Sequence, residues 1–176
     1  MESKKFNLVL NATGLLSRKD ESNTLQPERA LRNLNYQQMH DIFAVNTFGV
    51  GLALKYLTPF LTRSSRSVFA SFSARVGSIE DNRIGGWYSY RASKAAQNML
   101  IKTASLELAR THKNCVCVAL HPGTVYSALS SPFTARVKHT IFSPSESAGY
   151  LLKVLSELSV EDSGKLFAWD GSCIPF

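Results

Sequence analysis

The chain of 176 residues carries 20 basic and 13 acidic side chains, a formal net charge of +7, and 44% of its residues are hydrophobic. This length and composition are typical of a globular protein with its own core, and we expect residues 1–176 to form one domain. No apolar run approaches the ~18 residues that span a bilayer, and the basic residues are scattered, which argues against nucleic-acid binding. The N-terminus has neither the apolar region nor the cleavage site of a signal peptide, so we expect a cytoplasmic protein.

The N-terminal part of the chain predicts a buried strand followed by a long helix. Residues 6–10, which are apolar except for Asn7, predict a strand that ends at Asn11. Asn35 and Gln38 have the spacing of a capping box, so we expect a helix over about 36–61. Its apolar residues recur near the 3.6-residue period, which indicates that one face of the helix packs against a core.

The rest of the chain predicts further strands that alternate with helices. Apolar runs at 67–72 and 114–120 predict two strands, and a long helix over 88–111 lies between them. A capping box at 143–146 begins another helix, and residues 165–169 predict a last strand. Alternation of helices with continuously apolar strands favours an α/β fold with a parallel sheet.

The three cysteines lack the spacing of a zinc site or of a disulfide framework, so no metal site is expected. Cys115 and Cys117 alternate with valines in the apolar run at 114–120, which places both thiols on one face of a strand. We therefore expect them to be buried, reduced thiols.

Tyr90 and Lys94 form the most informative pair in the sequence. They are four residues apart on the predicted helix, so their side chains lie on one face about a turn apart. A free tyrosine titrates near ~10, and an opposite charge within ~4–6 Å favours its ionised form. We expect Lys94 to lower the pKa of Tyr90 and to make the phenol a usable proton donor and acceptor.

Two other polar residues occupy informative positions. Asn46 falls on the buried stripe of the first helix, and a buried amide needs hydrogen-bond partners. It either bonds a neighbouring backbone, with a bend in the helix, or holds a water in a proton relay. Ser73 follows the second strand at the carboxyl edge of the sheet, where open α/β sheets bind ligands. It is either a turn residue or a donor to a substrate oxygen, and Pro122 and Gly123 form a turn after the third strand at the same edge.

The order of these motifs resembles that of the short-chain dehydrogenase/reductase family. Asn-x-x-Gly follows a strand, an asparagine lies in the next helix, a serine follows the next strand, Tyr-x-x-x-Lys begins the next helix, and Pro-Gly follows the strand beyond. The stretches 73–82 and 86–96 are similar to the carbonyl-reductase branch related to C-factor. The resemblance covers nearly the whole chain from Phe6 onward.

The resemblance implies a Rossmann-type doubly wound parallel sheet and the reduction of a small ketone or aldehyde by hydride from NAD(P)H, with NADP slightly favoured. It makes Tyr90 the proton donor to the carbonyl oxygen and makes Lys94 the residue that lowers its pKa and holds the nicotinamide ribose. Ser73 would bond the carbonyl oxygen, and Asn46 would bind the relay water. The cofactor-binding residues that the resemblance implies are Asn11, Gly14, Lys94, Pro122, Gly123 and Thr124.

The chain departs from the family most strongly at its start. The family begins with a strand and a glycine-rich turn that receives the pyrophosphate at a helix N-terminus. No such turn is present, because Gly49 and Gly51 fall inside the predicted helix. The run at 6–10 matches the fourth strand of the family, so we expect an incomplete, N-terminally truncated fold without the first three strands. That run should then be a bare apolar edge, and the affinity for the cofactor should be low.

Two smaller departures concern predicted site residues. Residues 11–14 read Asn-Ala-Thr-Gly where the family usually has Asn-Asn-Ala-Gly. Ser73 is followed by Ala74 where many members have two serines, the second of which is often the catalytic one. Ser73 is nevertheless the best candidate for the donor to the carbonyl oxygen.

Three functions are compatible with the sequence. The first is an NAD(P)H-dependent carbonyl reductase that forms a homo-oligomer through its two long helices. The second is a non-catalytic chain that pairs with full-length oxidoreductase subunits through the same helices. The third is a hydrolase that uses Ser73 and Lys94, although no Gly-x-Ser-x-Gly elbow is present. The substrate cannot be read from the sequence, but Phe133 and Phe142 in the loop over 126–142 suggest an apolar pocket.

Overall fold

A computed structural model describes residues 5–19, 24–136 and 139–176. Nine strands fall within these residues, and five of them form the central sheet in the order β1-β4-β5-β8-β9. Two short pairs, β2 with β3 and β6 with β7, lie outside it. The strands are β1 (Leu8–Asn11), β2 (Arg18–Lys19), β3 (Thr24–Leu25), β4 (Ser67–Phe72), β5 (Cys115–His121), β6 (Thr124–Val125), β7 (Ile141–Phe142), β8 (Leu166–Ala168) and β9 (Cys173–Ile174).

The central sheet confirms the predicted α/β class. Strands β1, β4, β5 and β8 are parallel, and the register of β4 and β5 pairs Phe69 with Cys117. The predicted strand at 67–72 has the bounds that the structure gives to β4. Strand β9 was not predicted and runs antiparallel to β8. It follows the turn at Asp170 and Gly171, and its two residues are too short a segment to show a periodic pattern.

The described residues contain four α-helices. The long helix over 88–111 was predicted with the bounds that the structure shows. The helix predicted over 36–61 is divided, because residues 44–48 form a π-helical segment and the turn that contains Pro59 is a 3₁₀ helix. The helices are α1 (Tyr36–Phe43), α2 (Gly49–Leu57), α3 (Tyr88–Thr111) and α4 (Pro144–Glu157). Helices α2 and α3 pack on one face of the sheet, and α4 packs on the other.

One of the two predicted capping boxes forms completely, and the other forms only in part. The side chain of Asn35 accepts a hydrogen bond from the backbone N–H of Gln38 at 3.0 Å, as a helix N-cap does. The side chain of Gln38, however, donates to the carbonyl of Gln26 at 2.8 Å, so only half of the predicted capping box forms. At α4, Ser143 and Glu146 form the complete reciprocal box.

The core has two apolar layers, one on each face of the sheet. Successive residues of a strand point to opposite faces, and so Phe69 and Cys117 pack with α2 and α3 while Val68 and Val118 pack with α4. Cys115 and Cys117 lie in the first layer, as predicted, and burial raises the pKa of both thiols. Among the described residues, no helix is both long and apolar enough to cross a membrane.

The outer edge of β1 is an unpaired sheet edge. Within the described ranges no strand pairs with that side of β1, and its neighbour on the other side is β4. Leu8 and Leu10 are 41% and 40% exposed, which is unusual for apolar strand residues. An unpaired strand edge with exposed apolar side chains is a template for association with other chains. This agrees with the apolar edge predicted from the sequence.

We expect Leu10→Lys to reduce concentration-dependent self-association, because a lysine on an edge strand opposes pairing with another strand. Light scattering of the protein over a range of concentrations measures this effect. Ile84→Lys is the matched control, since Ile84 is 92% exposed and lies on a loop away from the sheet. Equal association of the two variants would show that the β1 edge is not the adhesive surface.

Candidate active site

Tyr90 and Lys94 lie on the first two turns of α3, beside the carboxyl ends of the parallel strands. Tyr90 is 7% exposed and Lys94 is 2% exposed. The amino nitrogen of Lys94 lies 5.8 Å from the centroid of the Tyr90 ring. The structure therefore brings together the two side chains that the spacing in the sequence predicted to be neighbours.

The pKa values of this pair do not follow the expectation from the sequence. Burial raises the pKa of Tyr90 to about 12 and lowers the pKa of Lys94 to about 7. The net fall in the pKa of Tyr90 that the sequence predicted is therefore not found, because removal from water disfavours the charged form of each group and dominates here. Tyr90 consequently remains protonated at neutral pH, which is the state that can donate a proton.

The Tyr90 hydroxyl is not engaged by the protein. It has no hydrogen-bond partner among the described residues. The residue as a whole is 7% exposed, so most of its ring is buried.

The Lys94 amino group is held by two acceptors. It donates to the carbonyl oxygen of Phe72 at 2.7 Å and to Oε1 of Gln97 at 2.9 Å. Gln97 was not identified from the sequence, although its position three residues after Lys94 places it on the same face of α3. A glutamine on the buried face of a helix is the signal that could have found it.

Asn46 lies at the centre of the π-helical segment and is fully buried. Its Oδ1 accepts from the backbone N–H of Leu15 at 2.7 Å, and its Nδ2 donates to the carbonyl of Leu15 at 2.8 Å and to Oγ of Ser93 at 3.0 Å. Both amide hydrogens are used, so the structure supports the reading in which Asn46 bonds a neighbouring backbone and the helix is irregular. π-Helical segments occur frequently at functional sites.

Gly14 lies next to both Lys94 and Asn46. A Cβ atom added to Gly14 would lie 3.8 Å from Nζ of Lys94 and 3.9 Å from Oδ1 of Asn46. Asn11, which ends β1, donates from Nδ2 to Oγ of Ser71 at 3.1 Å. The loop after β1 thus brings Gly14 to the Lys94 amino group, as the predicted site requires.

Ser73 is buried at the end of β4, and its hydroxyl is already engaged. It donates to Oδ1 of Asn98 at 2.7 Å, while Nδ2 of Asn98 donates to the carbonyl of Gly77 at 3.4 Å. No hydrogen bond joins Ser73 to Tyr90 or to Lys94 in the described part of the chain. A Ser–Lys hydrolase needs its nucleophile and base within hydrogen-bond reach, so this geometry does not support the hydrolase alternative.

Pro122, Gly123 and Thr124 follow β5 at the carboxyl edge of the sheet. The carbonyl of Pro122 accepts from Oγ of Ser147 at 2.8 Å, and Oγ1 of Thr124 is hydrogen-bonded to Nε2 of His139 at 2.7 Å. Gly123 has a φ of +77°, and a Cβ there would come within 2.7 Å of the Phe142 ring. Glycine is therefore required at 123 on both conformational and steric grounds.

An aromatic cluster borders Tyr90. The Trp87 ring lies 6.1 Å from the Tyr90 ring and 5.2 Å from the Phe133 ring, measured between centroids. Leu129, in the same loop as Phe133, lies 3.7 Å from the Cβ position of Gly14. Of the two aromatic residues from which an apolar pocket was predicted, Phe133 thus lies near Tyr90 through Trp87, whereas Phe142 packs on Trp169 and Tyr150.

Glu28 fixes the start of α3 and was not identified from the sequence. Its carboxylate is buried and accepts hydrogen bonds from both the backbone N–H and the hydroxyl of Ser89. Its backbone carbonyl accepts from the N–H of Trp87 at 2.6 Å. A carboxylate at a helix N-terminus is favoured by the helix dipole, so the loop before α1 anchors the turn that carries Tyr90.

The family described as short chain dehydrogenase matches residues 3–138 of this sequence. The chain belongs to the short-chain dehydrogenase family. Its members are oxidoreductases, and the residues matched include Tyr90, Lys94, Ser73 and Asn46.

Two curated relatives illustrate the family likeness. C-signal of Myxococcus xanthus is 32% identical over 147 residues, which are 84% of each chain. The 1-hydroxy-2-glutathionyl-2-methyl-3-butene dehydrogenase of Rhodococcus sp. (strain AD45) is 31% identical over 140 residues, 80% of this chain and 59% of that enzyme. This chain therefore spans less than two thirds of the second relative but most of the first.

The fold agrees with that of a solved carbonyl reductase. The NADPH-bound carbonyl reductase from chicken fatty liver superposes with a TM-score of 0.82 at 28% identity. The match covers 99% of this chain and 68% of the chicken enzyme. The Rossmann-type class expected from the sequence is thereby confirmed.

Gly77→Ala should destabilise the protein, because the new Cβ would lie 2.7 Å from Cβ of Lys94 and 3.0 Å from its carbonyl carbon. Overpacking of this kind costs about 1–3 kcal/mol, and denaturant unfolding measures it. Gly149→Ala is the control, since nothing lies within 4 Å of its added Cβ inside α4. That variant should gain about 0.5–1 kcal/mol from helix propensity. Equal stability of both variants would contradict the close packing of residues 75–77 on α3.

Proposed function

We propose that this protein reduces a small ketone or aldehyde to an alcohol, with hydride from NAD(P)H and a proton from Tyr90. The observation that carries the proposal is the unpartnered hydroxyl of Tyr90, within the described residues, beside the buried amino group of Lys94 in a chain of the short-chain dehydrogenase family. The proposal concerns the whole protein that this chain represents. The likeness to an NADPH-bound carbonyl reductase supports both the reaction and the slight preference for NADP.

Two observations support the fit between the residues of the site and a nicotinamide cofactor. Lys94 has three N–H donors, of which two have protein acceptors, so one can bond a ribose hydroxyl. Gly14 has no side chain to fill the space near Lys94 and Asn46. When bound, the cofactor supplies the hydride. The residues that would hold it are Asn11, Gly14, Lys94, Pro122, Gly123 and Thr124.

The chain's own residues would then stabilise the negative charge that develops on the carbonyl oxygen and would donate the proton. Negative charge develops on the carbonyl oxygen as the carbon is reduced, and donors aimed at that oxygen stabilise the transition state. Tyr90 is protonated at neutral pH and would transfer its proton there, with Lys94 at 5.8 Å from the ring to stabilise the phenolate that forms. Ser73 would donate a hydrogen bond to the carbonyl oxygen only after its hydrogen bond to Asn98 is broken. Asn46 would hold a relay water through the remaining acceptor capacity of its Oδ1.

A second function has its own support. The chain spans 59% of the Rhodococcus dehydrogenase, and the helices that would pair subunits expose apolar side chains, among them Leu52, Met99 and Leu106. A non-catalytic chain that binds full-length oxidoreductase subunits through α2 and α3 would use this surface. The same surface would support a homo-oligomer of an active enzyme. Cofactor binding separates the two functions, because only the enzyme needs it.

Tyr90→Phe should lower carbonyl-dependent NADPH oxidation by about 10²–10⁴-fold, the range attributed to a general acid. Binding of NADPH, measured by fluorescence quenching, should stay within about twofold, because the ring and the Lys94 contacts are retained. Tyr88→Phe is the control on the same turn of α3, since Tyr88 is 38% exposed. Full activity of Tyr90→Phe would refute Tyr90 as the proton donor. A folded wild-type chain that binds no NADPH would favour the non-catalytic function.

The burial of Lys94 predicts a specific dependence of stability on pH. Its pKa is about 7 in the folded chain against the ordinary 10.5, so between these values the unfolded chain binds more protons. Lys94 should therefore contribute a rise in the free energy of unfolding from pH 7 to 10.5, and Lys94→Met should remove that contribution. Denaturant unfolding at pH 7 and 9.5 tests this. Lys153→Met, at an exposed lysine of α4, should keep the wild-type rise, and a flat wild-type profile would contradict the depressed pKa.

A further inference from the structure

We propose that Gln97 is a positioning residue for Lys94, whose amide fixes where the amino group lies and which charge state it holds. Gln97 is fully buried on α3, one turn after Lys94, and its Oε1 accepts from Nζ at 2.9 Å. The role in reduction rests on the proposed function. The effect on Lys94 itself does not, because it can be measured without any activity.

The orientation of the Gln97 amide is fixed by its other partners. Nε2 donates to Oγ of Ser71 at 3.0 Å and to the carbonyl oxygen of Phe72 at 3.0 Å, so both amide hydrogens are used. A reversed amide would direct its NH₂ group at the Lys94 amino group and its oxygen at the Phe72 carbonyl. Both of those contacts are repulsive, and so the strands hold the amide with its oxygen toward Nζ.

The amide also links Lys94 to the loop that carries Gly14. Oγ of Ser71 accepts from Gln97 and from Nδ2 of Asn11, and Oδ1 of Asn11 in turn accepts from the backbone N–H and the hydroxyl of Thr13. One polar chain therefore runs across the carboxyl ends of β1 and β4 to the Lys94 amino group. A displacement of Gln97 would therefore disturb both the Lys94 amino group and the loop that carries Gly14.

The other groups around the Lys94 amino group carry no charge. Strand β4 contributes the carbonyl of Phe72, and the loop after β1 contributes Gly14. The π-helical segment contributes the amide of Asn46, and on α3 itself the titratable neighbour is Tyr90, which is neutral at physiological pH. Within the described residues, position 97 is thus the place where one substitution changes the charge beside Nζ without altering Tyr90.

Two variants of Gln97 should move the Lys94 titration in opposite directions. Gln97→Glu has the same shape and introduces a carboxylate beside the amino group, which should shift the titration midpoint upward by about 1–3 pH units. Gln97→Leu has a similar volume but removes the acceptor, which should shift the midpoint downward because the charged form loses a hydrogen bond. A merely structural amide would change stability in both variants without this opposed pattern.

The experiment follows the ¹³Cε signal of Lys94 with pH in ¹³C-lysine-labelled protein, assigned by its absence in Lys94→Met. Gln37→Glu, at an exposed glutamine of α1, is the control and should leave the midpoint unchanged. Should Gln97→Leu fail to fold, Gln97→Met provides the acceptor-free variant, and Gln97→Glu decides independently. Midpoints that stay at the wild-type value in the folded Gln97 variants would overturn the proposal.

Activity then separates this proposal from the proposed function. If the protein reduces carbonyl compounds, the alkaline limb of the kcat/KM profile should shift with the Lys94 midpoint, upward for Gln97→Glu. Shifted midpoints in a chain that shows no NADPH oxidation would retain Gln97 as the positioning residue and refute the reductase activity. A kcat/KM profile that stays fixed while the midpoint moves would overturn the catalytic part of the role.

Discussion

The burial of the Lys94 amino group at the carboxyl edge of the sheet is the constraint on which the site depends. A lysine is rarely buried without partners, and here the carbonyl of Phe72 and the amide of Gln97 replace its water. The Phe72 acceptor belongs to β4, so its bond to Lys94 ties helix α3 to that strand. The close approach of Gly77 to Lys94 fixes the same contact from the neighbouring turn. The position of Tyr90 follows, because it lies one turn earlier on the same helix.

Long regular segments were predictable from the sequence, and contacts between distant segments were not. Strand β4 and helix α3 have the predicted bounds because each carries enough residues for a period to be seen. Strand β9 has two residues and no period. The hydrogen bonds of Glu28 with Ser89 join residues 61 positions apart, and no sequence pattern around either residue predicts this contact. The predicted direction of the Tyr90 pKa failed for another reason, since spacing along a helix reveals the neighbouring charge but not the depth of burial, which dominates here.

Asn46 has a structural role, because its side chain holds two segments together directly beside the candidate site. The sequence left open whether its amide bonds backbone or water. The amide joins the loop after β1 to α3 through Leu15 and Ser93, and the π-helical segment turns it toward both. The same bonds bring Gly14 next to the Lys94 amino group. The irregular helix is therefore a condition for assembling the site.

The proton-donating half of the site is built independently of the outer edge of β1. The pair of Tyr90 and Lys94 is positioned by β4, by the turn at Arg75–Gly77 and by α3, and its contacts do not involve that edge. Leu8 and Leu10 lie on β1, whose outer edge has no strand partner within the described ranges. The geometry of this pair can thus be intact whatever covers β1. Under the proposed function, reductase activity would then depend on how tightly the cofactor is bound, and Lys94 and Gly14 would supply only part of that binding.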